Sequence, residues 1–292
     1  MKALLNTGIF FIVFMLSSGI SRAQDDLLNS LDQQVGEDVH YTLYTFKSTH
    51  IINGHSVEHM RKNQLDFRIN HRFGELNGGL YSLYGLDNAL VNFSLDYGIT
   101  DRLMAGIRRG TYQKTYDGSL KYLLAHQCTG KRNFPVTISL FTNMSANTEI
   151  ITAPIAQRLA YVHQIFIARK FSDKLSLQLS PSFVHRNIVP ADDKNDITAI
   201  GFGGRYKFVR RVALTWEYFY RLQTSTTYYN PIAVGVDIET GGHVFQLFLT
   251  NSRPMVEKGL IAETTGNIKK SGIYLGFNIS RVFAMGKHKE NE

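Results

Sequence analysis

The sequence has 292 residues, a formal charge of +8 and a single cysteine, Cys128, so no internal disulfide framework can hold it together. Beyond the first residues no stretch reaches the ~18 uninterrupted apolar positions of a membrane-spanning helix. A mean hydropathy of −0.15 argues against a helical membrane protein, but not against a β-barrel, whose polar interior dilutes the average. Fifteen Tyr, 19 Phe and 24 Gly against 6 Pro tilt the composition toward β-structure.

Residues 1–23 read as a signal peptide: Lys2 is the positive start, Leu4 to Leu16 the apolar core, and Ser21-Arg22-Ala23 a small-x-small cleavage site before Gln24. No Cys lies at that site, which argues against a lipid-anchored precursor. Loss of Lys2 and Arg22 lowers the charge from +8 by two, to +6. In an exported chain that balance suits anionic lipid headgroups and lipopolysaccharide better than nucleic acid. Residues 24–61 read as a periplasmic lead-in, acidic and weakly amphipathic up to Glu37, then mixed on both faces from His40. Asn53-Gly54 marks a turn, and the segment around it is expected to be an extra hairpin, a lid on a barrel mouth or a plug inside it.

From residue 62 the pattern is period 2. In the stretch 88–110, Ala89, Val91, Phe93, Leu95 and Tyr97 share one face, and Asn92, Ser94 and Asp96 the other. Gly98 to Asp101 reverses the chain, and Leu103, Ala105 and Ile107 resume the apolar face. The same hairpin recurs around residues 171–174 and 209–210. Strands are expected near 62–73, 88–97, 102–110, 116–125, 136–145, 157–169, 174–186, 197–206, 211–222, 232–238, 243–251 and 271–283. Most are close to the ~9–11 residues of a tilted membrane-crossing strand. The connections alternate: compact at 98–101, 126–135, 170–173, 207–210 and 239–242, and mostly longer at 74–87, 146–156, 187–196, 223–231 and 252–270, with 111–115 short. Short turns at one end and long loops at the other is the layout of outer-membrane barrels, short side periplasmic. The expected fold is therefore an all-β, antiparallel transmembrane barrel of about 12 strands over residues 62–283. It becomes 14 if residues 41–60 add a hairpin, and 284–292 form a polar tail. A secreted β-sandwich competes, but would not confine long loops to one end.

The last strand alternates Ile273, Leu275, Phe277 and Ile279 against Tyr274, Gly276, Asn278 and Ser280, with Phe283 near its end and Arg281 breaking the apolar row. Such a strand is what barrel assembly machinery reads. Tyr97, Tyr112, Tyr116, Phe171, Tyr206, Tyr220, Tyr229 and Phe283 are placed to form aromatic girdles.

The segments TFKSTHIINGHSVEHM (45–60), QLDFRINHRFGELNGG (64–79), LDYGITDRLMAGI (95–107) and KTYDGSLKY (114–122) resemble a β-barrel family of Bacteroidetes outer-membrane proteins of unknown function. The resemblance implies an outer-membrane barrel and carries no catalytic or ligand residue.

If the apolar face meets lipid, the lumen receives Asp66, Arg68, Asn70, Arg72, Asn92, Asp96, Arg108, Lys121, Asn143, Gln178, Arg186, Glu217, Arg221, Gln246 and Asn278. They would either pair into a stiffening network or line a narrow conduit. The expected function is passive transport or a structural role without chemistry. One alternative is a lipid hydrolase assembled from Ser145, Asn143 and His163, although no GxSxG is present. Another is metal or redox-partner binding on the histidine-rich stretch 40–71, with His55 and His59 at i, i+4 spacing as the weak metal candidates. No Cys-x-x-Cys-His exists for covalent haem, and no cofactor is expected. Gly201 to Gly204 sits inside a strand pattern with no helix after it, and is expected to ease curvature rather than cradle phosphate.

Overall fold

The computed structural model describes residues 38–286, so the expected signal peptide, the acidic stretch up to Glu37 and residues 287–292 of the expected tail lie outside the described residues. In chain order the strands are β1 (Val39–Tyr41), β2 (Gln64–Glu75), β3 (Leu90–Gly98), β4 (Leu103–Gly110), β5 (Tyr116–Ala125), β6 (Cys128–Gly130) and β7 (Thr137–Ala146). They continue as β8 (Leu159–Lys170), β9 (Leu175–Arg186), β10 (Asp196–Val209), β11 (Val212–Arg221), β12 (Ile232–Thr240), β13 (His243–Thr250) and β14 (Tyr274–Ala284). One six-residue helix, α1 (Glu257–Ala262), interrupts the connection from β13 to β14.

Two compact units result. The small one is a two-stranded antiparallel sheet of β1 and β6, with His40 opposite Thr129. Within it Cys128 and Phe134 exchange backbone hydrogen bonds of 3.0 Å each. The large unit is a closed barrel of twelve strands, each antiparallel to both neighbours, with β14 pairing β2 to complete the circuit. Asn278 stands opposite Asn70 at that seam, and β9 pairs β10 from Asp196 to Tyr206. No strand of the barrel is thereby left at an open edge, as a sheet bounded by lipid requires. The expected count of twelve is met; the 14-strand variant and the sandwich are not.

Alternation explains the wall. On β3 the burial of Asn92, Ser94 and Asp96 alternates with exposure of Phe93, Leu95 and Tyr97. The exposed face is the apolar one on strand after strand: Ile107, Leu120, Leu140, Ile165, Val234, Leu247 and Leu249 all face outward. A soluble protein buries such residues; a barrel in a bilayer turns them to the acyl chains. Leu247, mid-strand on β13, is 54% exposed. No helix among the described residues is long and apolar enough to cross a membrane.

At the strand ends Tyr97, Phe171, Tyr206 and Phe283 are exposed on the short-turn side, and Tyr116, Tyr220 and Tyr229 on the long-loop side. Tyr112 departs from this expectation. It lies half-buried in the loop between β4 and β5, where burial and the nearby Glu263 raise its phenol well above the usual tyrosine range. Arg281, the break in the last apolar row, lays its guanidinium over the Phe283 ring at 4.8 Å, close to the strand's end where a charge can reach headgroups.

Candidate functional site

Residues 43–62 are neither a wall hairpin nor a lid. From Thr45 to Val57 nearly every residue is buried, Phe46, Ile51 and Ile52 included. The segment forms a tight reversal at Asn53-Gly54, as its sequence suggests: the Ile51 amide donates to Gly54 O at 2.9 Å and the Ser56 amide to Thr49 O at 2.9 Å. His50 and His55 face each other across it.

The partners of this reversal come from all round the barrel, which places it in the lumen. Lys121 of β5 donates to three of its carbonyls, Thr49 O (3.2 Å), Ser56 O (3.0 Å) and Glu58 O (2.8 Å). The Glu217 carboxylate of β11 accepts the amides of Ile52 (3.3 Å), Asn53 (2.9 Å) and Gly54 (3.1 Å). Gln178 of β9 accepts from the Val57 amide at 2.7 Å and donates to His55 O at 2.9 Å. Gln246 of β13 donates to Ile51 O at 2.6 Å, and Asn278 of β14 to Ile52 O at 3.0 Å. Irregular backbone brings unsatisfied amides and carbonyls, so it can sit inside a barrel only if the wall supplies partners of the right sign. A carboxylate for a run of N–H groups and an ammonium for a run of carbonyls are such partners.

Apolar seats complete the fit. Phe46, Ile51, Ile52 and Val57 pack with the inward-facing Phe141, Phe166, Ala168, Ala233 and Phe248. A Cβ on Gly203 would come within 2.4 Å of Ile51 Cδ1, and one on Gly201 within 2.5 Å of the Phe219 ring, so these glycines leave room for bulky neighbours in the lumen. That is a different use from the curvature expected of them.

The long-loop side closes in as well. Residues 251–264 fold inward, and α1 is buried over its whole length. Its Leu260, Ile261 and Ala262 pack on Val162, Val184, Ile197, Ala199 and Phe219 of the wall. Asn92 donates to Met255 O at 3.3 Å, and Lys258 bonds Glu263 (2.9 Å) and Gln113 (2.6 Å). The segment rising from the short-turn side and the loop descending from the other meet where Glu257 Oε1 lies 3.0 Å from His55 Nε2.

Every lumen residue expected from alternation is buried, and the structure divides them into groups. Arg108 bridges Asp96 (3.2 Å) and Asp117 (3.0 Å), with Asn143 donating to Asp117 at 2.8 Å. Arg68 donates to Asn70 (2.8 Å), to Ile52 O (3.1 Å) and to Gln246. Arg72 donates to Asn278 at 2.9 Å and to the Asn53 side chain, with its guanidinium 4.3 Å from the Phe248 ring. These two arginines therefore hold the reversal rather than line open water. Asp66 takes the Thr49 hydroxyl at 3.2 Å. Arg186 and Arg221 stand apart near the long loops, sharing Asp193 at 2.5 and 3.5 Å beneath Tyr228. In those loops the Thr226 and Thr227 hydroxyls hold the Asp192 carboxyl below its usual range.

Two expected constellations are not assembled. His59 points to Asp101 O at 2.6 Å while His55 turns into the lumen, so the i, i+4 pair does not share a ligand. Ser145 is buried whereas His163 is exposed on the outer face, bonded to Thr142 at 3.0 Å. Sequence reasoning held His50 only as one of the histidines of the stretch 40–71 and missed Glu257; with His55 they form the one group of potential metal ligands found among the described residues. Burial, with Lys121 and Arg108 nearby, holds His55 well below the usual histidine range. Burial does the same for His50, helped by His55 and Arg68.

A model of a membrane-bound β-barrel domain family, DUF5777, matches residues 46–283, a range that takes in the plug from Phe46 as well as the wall. No curated protein matches the sequence. Among solved structures, the NanC porin is similar over 76% of this chain and 100% of its own, at 9% identity and a TM-score of 0.47. The KdgM porin is similar over 76% and 99%, at 9% identity and 0.45. An outer membrane channel from Pseudomonas putida F1 is similar over 82% and 100%, at 13% identity and 0.46.

Proposed function

The chain belongs to this family of membrane-bound β-barrels, and we propose that within it the protein is a passive outer-membrane conduit held shut by its own N-terminal plug. The observation that carries this reading is the chemistry of the contact. The plug is held by reversible hydrogen bonds and ion–dipole contacts from wall strands all round the circuit. Behind it the wall is polar: Asp66, Arg68, Asn70, Arg72, Asn92 and Asp96 would be hydrated once the plug moved, so displacement would open a water-compatible lumen. A second reading, a permanently sealed structural barrel, rests on the same network taken as stiffening. Export through the cleaved signal at 1–23, recognition of β14 by barrel assembly machinery and contact with lipopolysaccharide belong to the same proposal.

Planar-bilayer recording of the refolded mature chain tests it. The native barrel should be closed most of the time, and Glu217→Gln, or Arg68→Ala with Arg72→Ala, should open it, with altered ion selectivity in the arginine variant. A native chain with steady high conductance would refute the plug as a gate. Correctly inserted variants that stay closed would refute the conduit and leave the structural barrel.

A further inference from the structure

We propose that His50, His55 and Glu257 form a buried site for a first-row transition-metal dication, one that fastens the plug to the inward-folded loop. One ligand atom from each residue lies within 4.8 Å of the other two. All three side chains are buried. Zinc-type bonds of about 2.0–2.2 Å to imidazole and carboxylate would place tetrahedral ligand atoms roughly 3.3–3.5 Å apart, so small side-chain adjustments suffice. Two imidazoles and one carboxylate suit Zn²⁺ or Co²⁺ rather than Ca²⁺ or Mg²⁺, which prefer all-oxygen sets.

Hydrogen bonding at His55 points to a cation independently of that spacing. Its Nδ1 is 3.2 Å from Thr49 O, an acceptor only, so Nδ1 carries a proton and Nε2 is the nitrogen open to a ligand. Nε2 has two neighbours of opposite kind: Arg108 Nη2, a donor, at 2.6 Å and Glu257 Oε1 at 3.0 Å. A carboxylate oxygen facing a nitrogen lone pair needs positive charge between them, and either a metal ion or a proton shared with Glu257 supplies it. Arg108 has alternatives in Asp96 and Asp117, so a metal can take the lone pair while the guanidinium keeps both carboxylates.

Charge bookkeeping agrees. Around the site Arg108 and Lys121 face Asp96, Asp117, Glu58 and Glu257, and Arg68 faces Asp66, Asp237 and Glu217, so buried carboxyls outnumber these cations. Asp66 Oδ1, Asp117 Oδ2 and Glu257 Oε2 are buried without a hydrogen-bond partner among the described residues. Uncompensated negative charge off water is costly, and a dication against neutral imidazoles relieves it. His50 and His55 lie on the segment entering from the short-turn side and Glu257 on the loop entering from the other. A shared ion would therefore staple the two halves of the closure, binding the closed state and not the open one. This inference stands on side-chain geometry and is separable from conduction.

The probe is Co²⁺ added to the full mature chain refolded in detergent micelles, with stoichiometry by elemental analysis and ligation by visible absorption. One Co²⁺ per barrel with ligand-field bands is expected, displaced by Zn²⁺. Binding should weaken at least tenfold in Glu257→Gln and disappear in His55→Ala, while His185→Ala, at the exposed pair with Asp196, should bind as the native chain does. Heat-modifiable migration on gels reports whether each variant has folded; if His55→Ala does not fold, His50→Gln and the near-isosteric Glu257→Gln decide. A folded native barrel that binds no stoichiometric Co²⁺ would overturn the site, leaving a proton on Glu257 to hold the contact. Equal binding by folded Glu257→Gln and His50→Gln would overturn it too.

Discussion

Glu217 is the place where one atom substitution should loosen the plug without disturbing the wall. Its carboxylate accepts the amides of Ile52, Asn53 and Gly54 at 2.9–3.3 Å, and all of these groups are buried. Glu217→Gln keeps the shape, removes the charge and turns an NH₂ group toward donors. A hydrogen bond to a charged partner contributes about 1.5–3 kcal/mol against about 0.5–1.5 for a neutral one, so three contacts, one of them long, lose about 2–3 kcal/mol together. At about 1.4 kcal/mol per decade that makes the released plug roughly 30- to 150-fold more populated. Hydrogen exchange by mass spectrometry on refolded barrels reads this directly, because release of the reversal is a sub-global opening that leaves the wall intact. Peptides covering 51–57 should exchange faster by about that factor in Glu217→Gln, and peptides from β8 and β9 should not change. Unchanged exchange at 51–57 in a folded variant would refute the claim that Glu217 anchors the plug, as would rapid exchange there in the native chain.

Two further substitutions separate the seat from the shell. Gly203→Leu drives a side chain into the space of Ile51, whose Cδ1 lies 2.4 Å from where a Cβ would stand. Overpacking of this kind costs about 1–3 kcal/mol, and adding Ile51→Ala should recover part of it; denaturant titrations of the two single variants and the pair would show a coupling, and strict additivity would argue against the contact. Leu247→Lys puts a charge on the lipid face at mid-strand, where it should destabilise the inserted barrel by about 2–4 kcal/mol in bilayers. Folding into vesicles followed by gel migration checks this, and an unaffected variant would mean that face does not meet the acyl chains.

The wall was legible in the sequence because a strand's side chains have one periodicity and a bilayer imposes one partition on it. Asn92-Phe93-Ser94-Leu95-Asp96-Tyr97 can be read correctly with no knowledge of what lies inside. The plug was legible only at Asn53-Gly54, where turn chemistry is local. Residues 45–57 show no period, since their partners are scattered over the wall: the Thr49 and Asn53 side chains meet Asp66 and Arg72 of β2, the Val57 amide meets Gln178 of β9, and the Ile52 to Gly54 amides meet Glu217 of β11. Assigning polar wall residues to the lumen was therefore possible, but finding their partners was not, because those partners are mostly main-chain atoms that no sequence pattern reveals. The spacing of His55 and His59 misled for a related reason: it presumes a helix, and the chain there is extended past a turn. The residues that do meet, His50, His55 and Glu257, come from opposite ends of the chain and enter the barrel from opposite mouths.

This origin of the partners bears on how the closure can work. A plug held by side chains of its own could be rewritten by a few substitutions, but this one is held by its backbone, so its grip depends on the conformation of the reversal more than on its side chains. Lys121 illustrates the point: its ammonium gathers three carbonyls, of Thr49, Ser56 and Glu58, that converge only while the Ile51–Gly54 turn is intact. Unwinding that turn would deprive Lys121 of its three carbonyls and Glu217 of its three amides in one step, leaving two buried charges without those hydrogen-bond partners. The closed state is thus cooperative. Its contacts should be lost together rather than one by one, and a partly withdrawn plug should be less stable than either a seated or a fully released one.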